Sequence, residues 1–233
     1  MQALNLYATI EEYLDFNEEI SHLYNSIKDI AVSKKPKTLI DIGCGQGEFC
    51  KLMTSYGIDT SGVDLSSKQI DIAISKGVKA QCIDIKEIDT KYDCATAVFD
   101  VINYIPKAYI YDFLSASYNL LNDDGYFIFD INSFFGFSEV AQGTLNIDVN
   151  EKFIAIDANF DDHTLFTDIN LFTKLNEHYK KDFGTIEQFY YKNSELKSIL
   201  EDIGFKVEEI KEFNLHSDED ADKYIFICKK EIK

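Results

Sequence analysis

The sequence predicts an α/β fold: a doubly wound, mostly parallel sheet of seven strands, with an antiparallel β insertion after the fifth. Three observations predict it. Leu39-Ile40-Asp41-Ile42 has a buried-strand pattern and runs through Gly43-Cys44-Gly45-Gln46-Gly47 into a segment of helical period. Apolar segments ending in an acid then alternate with helical ones as far as Asn132. Beyond Asn132 the helical period gives way to residue-by-residue alternation.

The elements follow in order. Residues 1–35 are expected to be a helical segment, because Ile10, Tyr13 and Leu14, then Ile20, Leu23, Tyr24 and Ile27, recur at helical spacing. Phe49, Leu52, Met53 and Tyr56 form the face of the helix after the glycine loop, and Gly57 ends it. A second strand, Ser61–Ser66, carries Asp64, and a third, Ala80–Ile85, carries Asp84. The fourth runs from Tyr92 to Asp100, and the fifth from Gly125 to Asn132. Between them Ile110, Phe113, Leu114, Tyr118 and Leu121 mark a helix. Residues 133–191 are the expected insertion. There Ile154, Ile156, Ala158 and Phe160 alternate, Asp161-Asp162 marks a turn, and Leu165, Thr167, Ile169 and Leu171 alternate again. A third extended segment ends at Glu187–Tyr191. Leu196, Ile199, Leu200 and Ile203 then form a helix closed by Gly204, before strands near Phe205–Phe213 and Tyr224–Cys228. The core therefore comprises residues 36–132 and 192–233.

The loop chemistry narrows the ligand. A dinucleotide fingerprint is G-x-G-x-x-G, its last glycine allowing close helix–strand packing beneath a pyrophosphate. Here the spacing is G-x-G-x-G, and Glu48 stands where the third dinucleotide glycine belongs. A carboxylate suits a cofactor without phosphates. Asp64 follows the loop by on the order of 20 residues, the usual offset for a ribose-binding acid. Gly43, Asp64, Asp84 and Asp100 all fall at carboxyl ends of expected strands, where such sheets bind ligands.

With the loop, the Asp64 ending and Phe99-Asp100-Val101-Ile102-Asn103-Tyr104-Ile105, the chain resembles the class I S-adenosylmethionine (SAM)-dependent methyltransferases from about Tyr7 onward. The resemblance implies a Rossmann-like core and SAM as cofactor. Gly43, Cys44 and Gly45 would cradle the methionine end, with Asp41 orienting its amino group. Asp64 would take the ribose hydroxyls, and Leu65 would pack on the adenine. Asp84 would accept from the adenine amino group beside Ile85, and Phe99 would line the pocket near the methionine moiety. Residues 1–35 would either close as a lid or simply pack on the sheet. Tyr7 resembles an N-terminal tyrosine of the family, whose usual following Asp is Ala8 here.

The segment after the fourth strand bears on the acceptor. It is neither the D/N-P-P-Y/F of DNA and glutamine amino-methyltransferases nor the Pro-Cys of cytosine-C5 enzymes. It looks like the small-molecule branch containing glycine and amino-sugar N-methyltransferases, in which a β insertion roofs the acceptor. Tyr104, Asn132, Glu187 and Tyr191 are placed to face that acceptor. Tyr104 would orient the nucleophile, take its proton or form an aromatic wall, and Glu187 would bind an acceptor amine. Methyl transfer needs mainly positioning, so the lack of a catalytic triad does not weigh against it.

Composition excludes several classes. Net charge is −18, from 41 acids and 23 bases, so the surface repels polyanions and no nucleic-acid partner is expected. Ser217-Asp218-Glu219-Asp220 is the densest acidic run. Five cysteines without a C-x-x-C, and four histidines without ligand spacing, predict neither disulfides nor a metal. Cys82, Cys94 and Cys228 read as core fillers. No apolar run approaches the ~20 residues of a membrane span, and no signal peptide is read, so a cytoplasmic location is expected. The leading reading is N- or O-methylation of a small polar metabolite. A macromolecule methyltransferase, a non-catalytic SAM-binding protein and a nicotinamide oxidoreductase are the alternatives.

Overall fold

The computed structural model describes residues 2–216 and 220–231, so positions 217–219 of the acidic run lie outside it. The first sheet contains β1 (Thr38–Ile42), β2 (Asp59–Val63), β3 (Ala80–Gln81), β4 (Tyr92–Ala97), β5 (Leu121–Asn132), β10 (Phe205–Phe213) and β11 (Lys223–Lys230). Its order is β10-β11-β5-β4-β1-β2-β3. The strands from β5 to β3 pair in parallel, and β11 pairs antiparallel with both β5 and β10.

Strand alternation divides the core between two faces. Ile40, Ala95, Phe127, Phe129 and Phe226 point to one side, beneath α5 (Ile110–Asn119) and α6 (Asn193–Ile203). Leu39, Cys94, Ile128 and Ile225 point to the other, beneath α2 (Asn17–Ser33) and α3 (Glu48–Ser55). β5 is apolar at nearly every position from Phe127 to Ile131 because helices cover both its faces.

The insertion is a separate antiparallel sheet of four strands: β6 (Gly143–Val149), β7 (Lys152–Asp161), β8 (Thr164–Leu175) and β9 (His178–Phe189). Its inner face presents Ile154, Ile169, Leu171 and Ile186 to Ile10 and Leu14 of the N-terminal segment, with Tyr104 packed alongside. The N-terminal segment thus sits between the insertion and the core, as α1 (Gln2–Ile10) and a 3-10 turn at Glu11–Tyr13. Asp15, at φ 53, separates it from α2.

Three differences from the sequence reading have physical causes. β3 stops at Gln81, because Asp84 caps a 3-10 turn at Ile85–Glu87 instead of extending the strand. Cys82 is consequently exposed rather than a core filler. β6 and a helical turn at Gly136–Ala141 were not expected; β6 is an edge strand with mostly exposed residues, so it lacks a clear alternating signal. No helix among the described residues is long and apolar enough to cross a membrane.

Truncating the fully buried Ile154 to Ala leaves a cavity between the insertion and α1. It is expected to lower unfolding free energy by about 2–4 kcal/mol in urea titrations and to speed amide exchange in residues 2–14.

Candidate functional site

The glycine loop is held by sterics and by its own hydrogen bonds. Gly43, Gly45 and Gly47 have φ of 71°, 52° and 81°, a region that favours glycine. A Cβ on Gly43 would also lie 2.6 Å from Val101 Cγ2. The loop's N–H groups turn inward. Gly43 and Cys44 both donate to the Val63 carbonyl (2.8 and 3.0 Å), Gly47 donates to the Cys44 carbonyl (2.9 Å), and Gly45 donates to Asp64 Oδ2 (3.0 Å). The loop is therefore not an anion nest: those four donors are already used.

Two acids lie at the strand ends beside this loop. Asp64 accepts from Gly45 and from Ser66 N–H (2.7 Å), leaving lone pairs for a vicinal diol. Burial raises its pKa, against the hydrogen bonds from Ser66, Gly45 and Leu65. Asp41 is buried, accepts from Thr96 Oγ1 (2.7 Å) and takes a weak contact from Cys50 Sγ (3.9 Å). Burial, with Asp64 nearby, pushes its carboxyl up to about 7.

The N-terminal segment is bonded across these elements. Glu11 Oε2 accepts from Gln46 Nε2 of the loop (2.9 Å) and from Gln69 Nε2 (3.1 Å) of α4 (Ser67–Ser75). Ser66 Oγ donates to Asn5 Oδ1 (2.6 Å), and Lys68 Nζ to Thr9 Oγ1 (2.7 Å). Three phenols share the space. Burial, then Glu11 and Asp100, raises Tyr7; burial, then Asp41 and Glu11, raises Tyr24. Burial, then Tyr7, Asp100, Glu11 and Asp64, raises Tyr104 well above the ordinary tyrosine value. All three are neutral at physiological pH. Among the described residues Glu11, Asp41 and Asp64 have no ion pair, so the site is lined by acids with no protein cation on them.

After β4 the chain makes a strained turn. Phe99 and Asp100 both have φ 63, rare for non-glycine residues. Both N–H groups donate to the fully buried Asp130 of β5 (2.7 and 3.3 Å). Lys223 of β11, 3% exposed, pairs with Asp130 (3.0 Å) and with Asp100 and donates to Asn132 Oδ1 (2.9 Å). Burial alone would lower the lysine, but Asp100 and Asp130 outweigh it and keep the charge on. Burial pushes Asp130 up to about 6 despite Lys223, with Asp100 adding to the rise. Asn103 continues the relay: its Oδ1 accepts from Asn132 N–H (3.0 Å), and its Nδ2 donates to the Phe189 carbonyl (2.9 Å) at the end of β9.

The structure brings together Asp41, Gly43, Cys44, Gly45, Asp64, Phe99 and Tyr104. Phe99 stands edge-on to Tyr24, their centroids 5.5 Å apart. Leu65, next to Asp64, is 52% exposed, a large apolar side chain left in solvent at the strand end. Asp84 is exposed and accepts from Lys86 N–H (2.9 Å) in a capping box, with Ile85 buried behind it.

Glu187 requires correction. It pairs with Phe166 on the outer face of the insertion and is exposed, because strand alternation turns it away from Ile186. Gln188, 8% exposed and on the same face as Ile186, is the inward residue. Asn132 and Tyr191 are already engaged, by Lys223 and, for the Tyr191 hydroxyl, by the Ile105 carbonyl (2.5 Å). Sequence reasoning missed Glu11, Gln188 and Lys223. Only for Lys223 was there a signal, a charge immediately before the apolar run Tyr224–Cys228.

Comparison with known proteins agrees with this geometry. The model of a methyltransferase domain matches residues 12–210. "Putative methyltransferase YqeM" of Bacillus subtilis is 26% identical over 184 residues, 74% of each chain. A SAM-dependent methyltransferase from Clostridium acetobutylicum superposes with a TM-score of 0.78 at 24% identity, over 99% of this chain and 98% of that one. The sugar N-methyltransferase KedS8 from Streptoalloteichus superposes with a TM-score of 0.74 at 14% identity, over 98% and 93%. The chain belongs to the methyltransferase-domain family and has the fold of SAM-dependent class I enzymes. SAM is therefore the cofactor. The residues fit it: diol acceptors on Asp64, inward-turned loop donors, and acids suited to a sulfonium and an ammonium.

Two measurements check the site's electrostatics. Asp41 titrates near 7 in the folded chain against 3.8 unfolded, so it holds its proton between those values and costs stability increasingly as pH rises through them. Asp41→Asn is expected to gain stability relative to the parent from pH 4 to 7.5, by up to about 4 kcal/mol, visible as diverging Tm–pH curves. Lys223→Met leaves the buried Asp130 and the half-buried Asp100 without their cation and is expected to cost about 3–5 kcal/mol by urea denaturation.

Proposed function

We propose that this methyltransferase-domain protein moves the methyl group of SAM to a nitrogen or oxygen of a small polar metabolite. The observation that supports this reading is the position of Tyr104, which packs against the inner face of the antiparallel insertion and lies in the field of Asp100, Glu11 and Asp64. SAM supplies a methyl already activated on a sulfonium. The protein's task is to hold the acceptor in line and exclude water, which can contribute about 7–11 kcal/mol.

In this reading the carbonyls of Gly43, Cys44 and Gly45, with Asp41, hold the methionine end, and Phe99 walls it. Asp64 binds the ribose diol. Leu65, Asp84 and Ile85 bind the adenine. Residues 1–35 act as the lid, 36–132 with 192–233 as the cofactor-binding core, and 133–191 as the acceptor roof. Tyr104 orients the acceptor as a hydrogen-bond donor; its raised pKa argues against its taking a proton. Gln188 takes the polar role first expected of Glu187. The acidic surface favours small acceptors over nucleic acid, and a cytoplasmic location belongs to this reading. The similarity to KedS8 makes amino sugars the first acceptors to try.

Incubation with methyl-labelled SAM and separate pools of amino sugars and other polar metabolites, RNA and protein tests this directly. Label is expected in the small-molecule pool; label confined to RNA or protein would refute the substrate class. Tyr104→Phe is expected to lower kcat/KM about tenfold, through loss of one hydrogen bond to the acceptor. The parent's pH–rate profile should show no break attributable to Tyr104 below pH 10.

A further inference from the structure

We propose that Glu11 is a charge-recognising residue of the cofactor site, supplying the negative charge that makes the closed site prefer the sulfonium of SAM to the neutral thioether of S-adenosylhomocysteine. The proposal rests on the SAM reading above.

Glu11 lies on the N-terminal segment but is bonded to the two elements that flank the expected cofactor. One of its oxygens, Oε2, accepts from both Gln46 of the glycine loop (2.9 Å) and Gln69 of α4 (3.1 Å). Two amide donors on one oxygen fix the carboxylate, and among the described residues its other oxygen has no hydrogen-bond partner. Gln69 is 7% exposed, and its buried Oε1 has no hydrogen-bond partner among the described residues, an unused acceptor beside Glu11. The nearby cations are committed elsewhere. Lys76 donates to Gln46 Oε1 (2.9 Å) and pairs with Glu48 (2.7 Å), and Lys68 donates to Thr9. Glu11 itself has no ion pair among the described residues. Its charge also reaches Tyr7, Tyr24 and Tyr104, which places it in the same space as the methionine-end acids.

A carboxylate held this way without a counter-ion is unfavourable until a cation arrives, and SAM brings one that its product lacks. Methyl transfer removes the sulfonium charge, so the charge of Glu11 that strengthens binding of the donor loses its partner in the product. Glu11 therefore aids both closure over SAM and release of S-adenosylhomocysteine.

The test is calorimetric titration of the parent, Glu11→Gln and Glu11→Ala with SAM and with S-adenosylhomocysteine. Glu11→Gln keeps an oxygen to accept from Gln46 and Gln69 but loses the charge. The preference for SAM over S-adenosylhomocysteine is expected to fall about fivefold in Glu11→Gln, through weaker SAM binding, the size of one screened unit-charge interaction. Glu11→Ala is expected to lose that preference and also to weaken both ligands, because the latch goes too. An unchanged preference in Glu11→Gln, even with both affinities reduced, would overturn the proposal and leave Glu11 only a latch. Binding of neither ligand by the parent would instead overturn the SAM reading on which the proposal stands.

Discussion

The carboxyl end of the sheet is organised around the buried ammonium of Lys223. It sits on the seventh-strand partner of β5 and reaches Asp130, Asp100 and Asn132 together. Without that charge Asp130 would have no reason to ionise in a fully buried position, and without the Asp130 carboxylate the N–H groups of Phe99 and Asp100 would lose the acceptor that holds both residues left-handed. Such a conformation costs about 1–2 kcal/mol per non-glycine residue and persists only where its surroundings enforce it. Here the surroundings are an ion-paired network that also fixes Asn103 and, through it, the end of β9. One buried cation thereby sets the turn after β4 and the end of β9 in a common frame.

The acids away from Lys223 have the opposite character. Among the described residues Asp41, Asp64 and Glu11 have no cation of their own, and burial lifts the carboxyls of Asp41 and Asp64 rather than lowering them. The glycine loop adds to this: a loop of similar spacing in a dinucleotide site offers N–H groups to phosphate, whereas here four of them are spent on Val63, Cys44 and Asp64. Acceptors outnumber donors, so a ligand with positive charge and a diol fits, and a pyrophosphate does not. The three neutral phenols supply apolar walls with hydroxyl ends, which suits holding an acceptor in a water-poor space without ionising.

Much of this was legible in the chain. Asp41, Asp64 and the glycines announce themselves because a strand, a tight turn and a strand-end acid each leave a local pattern. The seven-stranded, mostly parallel sheet follows from alternation of periods, and the insertion from the switch at Asn132. What was not legible is contact between distant segments. Lys223 meets Asp100 across 123 positions, and Glu11 meets Gln69 across 58, and neither leaves a spacing to read. Glu187 and Gln188 differ by one residue, but in a strand one residue is the difference between outside and inside, and the face was set by Ile186 packing on the N-terminal segment. The third strand stops short of Asp84 for a different reason: its capping box competes locally with strand extension, and at a sheet edge the cap wins.

The central claim is that this glycine loop serves a cation rather than a phosphate. Parallel calorimetric titrations of the parent protein with SAM and with NADH at matched ionic strength address it most directly. Saturable binding of SAM with none of NADH is the predicted result. Binding of NADH in preference to SAM would mean that the loop donors reopen to receive a pyrophosphate, and would contradict the account.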